Sequence, residues 1–344
     1  MKRLQSVDVM RVIAIIAVIA IHTIPFTPPS VPIGQSVDLA TIVNGLARFA
    51  VPLFFILSGY FWAKKIESAR TVWAPSLAMG KRIALLFVVW SLIYLIPFDF
   101  AEVFADGPSG FLDHLSRSIH TQLGRPVTVF FQGTEQHLWF LMALLWSLGI
   151  SALLIGLRQR GLLIALGIAL FAFGLAGKAY SGTPLGFKTG FNLRNGPFFS
   201  LIFFVTGVLL AGTGKPLPRL RTGLWIASAG IVLQFVELAI LHEGWGVSMS
   251  QDYVLSTFVF GLGAAIIALS NSPRLHLARA AAIGPLVLGI YSAHIIFVEL
   301  FRPANAILGG NWLWSIAYVL IVFALSYALA RFLARFSATR QLVM

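Results

Sequence analysis

The chain has 344 residues, of which 58% are hydrophobic and only 11% charged, and its formal net charge is +13. Its mean hydropathy is +0.88. A soluble globular domain carries about 25% charged residues, so a water-soluble protein of this size is excluded, and long unalternating apolar runs exclude a barrel, leaving an all-α polytopic membrane protein.

Met1-Lys2-Arg3 resembles a signal-peptide n-region, but the apolar run behind it continues to Ile24 without a small-residue cleavage site and contains Asp8 and Arg11. It therefore reads as a retained first helix. Spanning a membrane takes about 20 mostly apolar residues, and ten segments qualify: 7–24, 41–62, 82–98, 137–156, 161–177, 196–212, 223–241, 252–270, 283–301 and 312–333. Pro25 with Pro28-Pro29 stops the first, Gly212 and Gly214 with Pro216 the sixth, and Pro273 the eighth. With the N-terminus placed in the cytoplasm, 17 of the 25 Lys and Arg residues fall in inner segments, six in outer segments and two, Arg11 and Arg48, within spans. That bias predicts an N-in, C-in bundle. It also turns the net charge into a map of the cytoplasmic face, with anionic lipid headgroups as its partner and no nucleic acid. The longest connection, 99–136, lies outside and carries Asp99, Glu102, Asp106, Asp113, His114 and His120. The chain is expected to be a single membrane domain over residues 1–344. The absence of cysteine removes disulfides, thiolate zinc sites and a cysteine nucleophile, and no metal is expected.

Ionisable groups inside spans are costly and usually face a bundle interior or a water-filled cavity. In the first span Asp8, Arg11 and His22 share one stripe: Arg11 stands three residues after Asp8, close enough for an ion pair, and His22 lies about 16 Å further along the axis. The second span holds Arg48, then Pro52, expected to kink the helix, then Ser58-Gly59, a small surface for close approach. Lys64, Lys65, Arg70, Lys81 and Arg82 follow, a set able to hold phosphates or simply an inner-loop cluster. Glu135, His137 and Trp139 open the fourth span. Tyr291 and His294 share a face of the ninth, with Glu299 and Arg302 at its end, and Glu237 and His242 sit in the seventh. His22, Arg48, Glu135, His137, Glu237, His294 and Glu299 all fall in the outer half, as though lining one polar cavity.

Four stretches carry a family resemblance: Asp8-x-x-Arg11 with His22; Arg48-x-x-x-Pro52-Leu-Phe-Phe-Ile-Leu-Ser58-Gly59-Tyr60; His137-Leu-Trp139-Phe140-Leu141; and Gly289-Ile-Tyr291-Ser-Ala-His294. Together they resemble the acyltransferase 3 family of integral-membrane acyltransferases. The resemblance implies transfer of an acyl group, most often acetyl, from cytoplasmic acyl-CoA, a co-substrate and not a tightly bound cofactor. The acceptor would be a hydroxyl of an envelope glycan, a lipid-linked sugar or an exopolysaccharide, and the location a bacterial inner membrane. It implies that His22 is catalytic and Arg11 essential. The family's Arg-x-x-Arg pattern before the third helix is reduced here to Lys81-Arg82. Some relatives carry a soluble transferase domain; this chain stops soon after its last span, so transfer is expected to finish in the membrane domain or on a separate protein.

The residues fit this scheme as follows. Asp8 and Arg11, placed with His22 among the expected catalytic residues, form a charged inner mouth, with Lys64, Lys65, Lys81 and Arg82 placed to take the CoA phosphates and Ser58 expected at the same donor and acceptor site. A sugar hydroxyl needs a positioned base, and histidine suits the task; a transiently acylated His22 is the alternative. Arg48, Trp139 and Tyr291 are candidates for stabilising the developing oxyanion, while Glu135, His137 and His294 are expected at the same donor and acceptor site. Two other functions compete: a transporter or exporter without chemistry, coupled through Glu237, Glu299 and His294, and a membrane partner with no site of its own.

Overall fold

The computed structural model describes residues 4–100, 103, 107, 110–212 and 219–344. Lys2, Arg3, Glu102, Asp106, Gly214, Lys215 and Pro216, to which the sequence assigns roles, lie outside these. The described residues are helical without strands: α1 (Gln5–Thr23), α2 (Leu39–Ala47), α3 (Ala50–Ala69), α4 (Trp73–Ile93), α5 (Gly110–Leu123), α6 (Pro126–Gln132), α7 (Trp139–Gly156), α8 (Arg160–Ala176), α9 (Pro197–Gly212), α10 (Leu220–Trp245), α11 (Thr257–Leu269), α12 (Ala278–Ile283), α13 (Val287–Leu300), α14 (Arg302–Leu308), α15 (Trp312–Leu333) and α16 (Ser337–Arg340). Among the described residues, seven segments are long and apolar enough to cross a membrane: Gln5–Thr23, Leu39–Ala69, Trp73–Ile93, Gln136–Gly156, Leu220–Trp245, Ala278–Leu300 and Trp312–Leu333. The other three expected spans correspond to α8, α9 and α11, which are apolar but only 10–17 residues long. The all-α membrane class is therefore plain; ten crossings are not shown by helix length.

Several elements differ from their expected form for identifiable reasons. The second span is interrupted at Arg48–Phe49. Pro52 donates no hydrogen bond and its ring crowds the carbonyl four residues back, which belongs to Arg48. The chain tightens there, Arg48 N–H bonding the Gly45 carbonyl at 3.2 Å, and α3 restarts with Pro52 in its first turn, where no backbone donor is missed. The third helix begins at Trp73, nine residues before the expected 82. Lys81 and Arg82 thus lie within it and do not precede it. Hydropathy missed its start because Ser76, Gly80 and the basic pair dilute the apolar signal. The ninth span is assembled from α12, a short 3₁₀ turn at Gly284–Leu286 and α13.

Helix α1 occupies the middle, in contact with α2, α3, α11, α12, α13 and α15. Its Ala14, Ile15 and Ile19 are fully buried. Helices α3 and α9 cross closely. A Cβ built on Gly207 would lie 1.9 Å from the Ile56 carbonyl oxygen, and one on Gly59 would lie 2.0 Å from that of Phe204. Each glycine makes room for the other helix's backbone, as small residues do at membrane helix crossings. This is the use of the small surface at Gly59. Around the crossing the core is aromatic: Phe55 meets Phe140 at 4.7 Å and Phe199 meets Tyr253 at 4.6 Å between ring centroids.

Candidate active site

Helix α1 ends one residue after His22. Ile24 takes a left-handed conformation, φ 43°, its N–H closing on the Ala20 carbonyl at 3.1 Å, and Pro25 prevents continuation. The His22 ring is thereby held in the last turn, where it meets two others. Its centroid is 5.1 Å from that of His294 and 6.5 Å from that of His137, and His137 and His294 are 5.1 Å apart. His137 and His294 are almost wholly buried. Their tautomers follow from their partners, since a backbone carbonyl only accepts. His137 donates from Nε2 to the Ser292 carbonyl at 3.3 Å, and His294 donates from Nδ1 to the Tyr291 carbonyl. The remaining nitrogens, Nδ1 of His137 and Nε2 of His294, carry lone pairs and have no partner among the described residues. Two buried acceptors therefore flank His22. Tyr291 donates its hydroxyl to the His137 carbonyl, and Tyr94 donates to the Ser292 carbonyl at 2.6 Å, locking the 3₁₀ turn before α7 against α13. Among the described residues no group of three or more acidic, histidine or cysteine side chains is placed to hold a metal ion.

Two chambers adjoin the cluster. The upper one, at the C-terminal end of α1, has a volume of about 300 Å³ and is lined by His22, Asn44, Arg48, His137, Trp139, Arg194, Asp252 and Tyr291. The lower one, towards the N-terminal end of α1, has about 550 Å³ and is lined by Arg11, Ser58, Lys65 and Arg82 among apolar side chains including Phe61, Trp62, Leu86 and Leu144. Phe140 and Tyr291 line both. Their rings meet edge to face, centroids 5.3 Å apart, forming a single aromatic layer between the chambers.

In the lower chamber Arg11 pairs with Asp8 at 3.7 Å and its guanidinium lies 5.4 Å from the Phe61 ring centroid. Asp8 itself is buried against Gly284, where a Cβ would stand 2.5 Å from its carboxylate. Asp8 thus orients Arg11 from the far end of α1 and does not approach His22. Lys64 pairs with Glu67 at 3.0 Å, and neither Lys64 nor Lys81 lines a chamber. In the upper chamber Arg48 places Nε and Nη2 on the Asn44 side-chain oxygen at 3.0 and 2.6 Å and Nη1 on Asp252 at 3.4 Å. Asp252 also takes Lys178 at 2.9 Å and Arg194 at 3.2 Å. Burial alone would push the Asp252 carboxyl up, but Arg194, Arg48 and Lys178 together hold it well below the usual carboxylate range.

Of the seven polar residues expected around one cavity, His22, Arg48, His137 and His294 come together. Glu135, Glu237 and Glu299 do not line either chamber. Glu135 caps the short turn before α7, accepting from the Gln136 N–H at 2.8 Å, and burial pushes its carboxyl up. Glu237 accepts from the Leu255 and Ser256 N–H groups, each at 2.8 Å, and from the Tyr180 and Ser256 hydroxyls. Glu299 pairs with Arg302. Conversely, Asn44, Lys178, Arg194 and Asp252 were not singled out from the sequence. A signal existed for Asp252: between Glu243 and Glu299 it is the one acidic residue. Lys178 and Arg194 had none, because they sit in the connection from α8 to α9, where no periodicity assigns a face.

A helical membrane protein with a histidine cluster beside the upper of two adjoining chambers is the class these observations define. More particularly, residues 4–331 match the family described as "Acyltransferase domain", and the chain belongs to that family. It is 23% identical over 350 residues to an amino-acid racemase of Enterococcus faecalis, an alignment covering 98% of this chain and 48% of that protein. It is 27% identical over 252 residues to a serine/alanine racemase of Enterococcus gallinarum, covering 69% of this chain and 33% of that protein. The chain thus spans about half, or less, of the curated relatives it matches. No solved structure matches it.

Proposed function

We propose that this chain is a membrane acyltransferase, probing the acyl donor from one face and the acceptor from the other. The observation that carries the reading is the pair of chambers that share Phe140 and Tyr291 as lining, with His22 on the upper side. The lower chamber faces the cytoplasm in the N-in arrangement favoured by the distribution of Lys and Arg, with α8, α9 and α11 as short further crossings. Acyl-CoA docks there, its phosphates near Arg11, Lys65 and Arg82 and its pantetheine arm along the apolar wall. The acyl carbonyl, acetyl by preference, passes the aromatic layer. In the upper chamber a hydroxyl of an extracytoplasmic or lipid-linked glycan gives its proton to His22 as its oxygen bonds to the carbonyl carbon. The C–S bond then breaks and coenzyme A leaves as the thiol, taking the proton back. The lone pairs of His294 and His137, unpartnered among the described residues, flank His22 as acceptors to which one of its N–H groups can turn, leaving its other nitrogen as the base. Arg48 and the indole N–H of Trp139, both lining the upper chamber, are the donors proposed for the developing oxyanion, the Tyr291 hydroxyl being engaged by the His137 carbonyl.

Transport without chemistry would use the same chambers, but two of its expected coupling groups are committed elsewhere, Glu237 to capping α11 and Glu299 to Arg302. The test is transfer of label from radioactive acetyl-CoA by the purified chain. His22→Ala is expected to lower transfer by about 10²–10⁴-fold, the usual weight of a general base, while the protein still inserts. Transfer at the unaltered rate in that variant sinks the proposal.

A further inference from the structure

The upper chamber holds more positive charge than its one carboxylate balances. Asp252 is shared by Lys178, Arg48 and Arg194, and three cations against one anion leave two charges over. Arg48 is further engaged through Asn44. Arg194 is not. Its Nη1 reaches Asp252, but Nε and Nη2, the two donors along the side of the guanidinium, are buried and have no partner among the described residues. The residue is 9% exposed, and its guanidinium lies 4.8 Å from the Trp139 ring centroid. Stacking fixes the plane, so the free edge is set in orientation before any ligand arrives. Two buried donors left unmet are costly, and that edge of a guanidinium matches the two oxygens of a carboxylate or phosphate. The chamber is lined by both Arg194 and His22, and its 300 Å³ is at the small end of ligand pockets, suited to one sugar ring or a small hydroxy acid.

We infer that the upper chamber is an oxyanion-selective acceptor site, in which the side edge of Arg194 seats a carboxylate or phosphate on a small molecule or terminal sugar whose hydroxyl faces His22. The part played by the hydroxyl rests on the acyltransferase reading; the anion site rests only on the cations. An acidic acceptor would thus be preferred over a neutral one bearing the same hydroxyl. Asp252 sets the strength of the site, neutralising enough of the cluster for it to fold while leaving a surplus for the ligand.

The full chain in detergent is heated with rising inorganic phosphate or acetate, chloride making up constant ionic strength. Ligand binding to the folded state raises Tm in a saturable way. The expected result is such a rise with at least one of the two anions, and which one acts distinguishes phosphate-bearing from carboxylate-bearing acceptors. Arg194→Gln is expected to weaken half-saturation about tenfold or more, and Asp252→Asn, where it folds, to tighten it. No saturable rise in the unaltered protein overturns the inference. A rise that survives Arg194→Gln unchanged also overturns it, since the anion then binds elsewhere, as beside Arg11 and Arg82. If Arg194→Gln does not fold, Lys178→Gln decides in its place: weaker half-saturation supports the site and an unchanged value removes it. No acyl donor is present, so failure here leaves acyl transfer standing. A protein that binds the anion yet never transfers a label from acetyl-CoA would lose the enzymatic reading alone.

Discussion

Asp252 shows how one side chain governs a site. Its carboxyl is held low by three cations, so the stability it confers is fully present above the unfolded carboxylate value of about 3.9 and lost as pH falls through the depressed folded value. Asp252→Asn is therefore expected to lower stability by about 3–5 kcal/mol, the cost of breaking a buried pair, and by the same amount from pH 5 to 8. Thermal melts of both proteins in detergent check this, with the gap closing only below about pH 4. A gap that varied between pH 5 and 8 would point to another titrating group. His22, Arg48, His137 and His294 could be read from the sequence because an ionisable group within an apolar run stands out. Lys178 and Arg194 lie in a connection, where charge is ordinary, and only the folded chain turns them towards Asp252.

Among the elements, the α3–α9 crossing and the aromatic layer make separate claims. Gly207→Ala places a methyl group against the Ile56 carbonyl, backbone that has no side-chain freedom to yield. It is expected to cost about 1–3 kcal/mol and to lower Tm, whereas Gly212→Ala, where no described atom lies within 4 Å of the added methyl, leaves Tm unchanged. Tyr291→Phe removes the hydrogen bond to the His137 carbonyl but keeps the ring. It is expected to reduce kcat for acyl transfer more than it raises KM, because the donor chamber keeps its lining. Most helices were legible as apolar runs, and Trp312–Leu333 coincides with its expected span. What hydropathy does not encode is where a helix tightens or starts among polar residues. The turn at Arg48 and the early start of α4 needed Pro52's missing donor and Trp73's packing against Gly156, which are matters of geometry.

At the scale of the molecule, topology is the claim most easily checked. The chain has no cysteine, so single cysteines report without background. Lys65→Cys and Lys188→Cys in sealed right-side-out vesicles are expected to differ: a membrane-impermeant maleimide labels position 188 at once and position 65 only after the vesicles are opened. Labelling of both, or the reverse order, overturns the N-in arrangement. In that arrangement the layer made by Phe140 and Tyr291 acquires a second meaning. Two water-accessible hollows that nearly meet inside a bilayer are also an incipient conductance, and every ion or proton that slipped through would drain the gradient the cell maintains. In the proposed reaction an aromatic wall would pass a small neutral acyl group at the moment of transfer while presenting no wire of water to a charge. Its thickness is thus a compromise between catalysis, which favours a thin wall, and electrical insulation, which favours a thick one. Phe140→Ala shifts that compromise, and in proteoliposomes it is expected to appear as a faster collapse of an imposed pH difference.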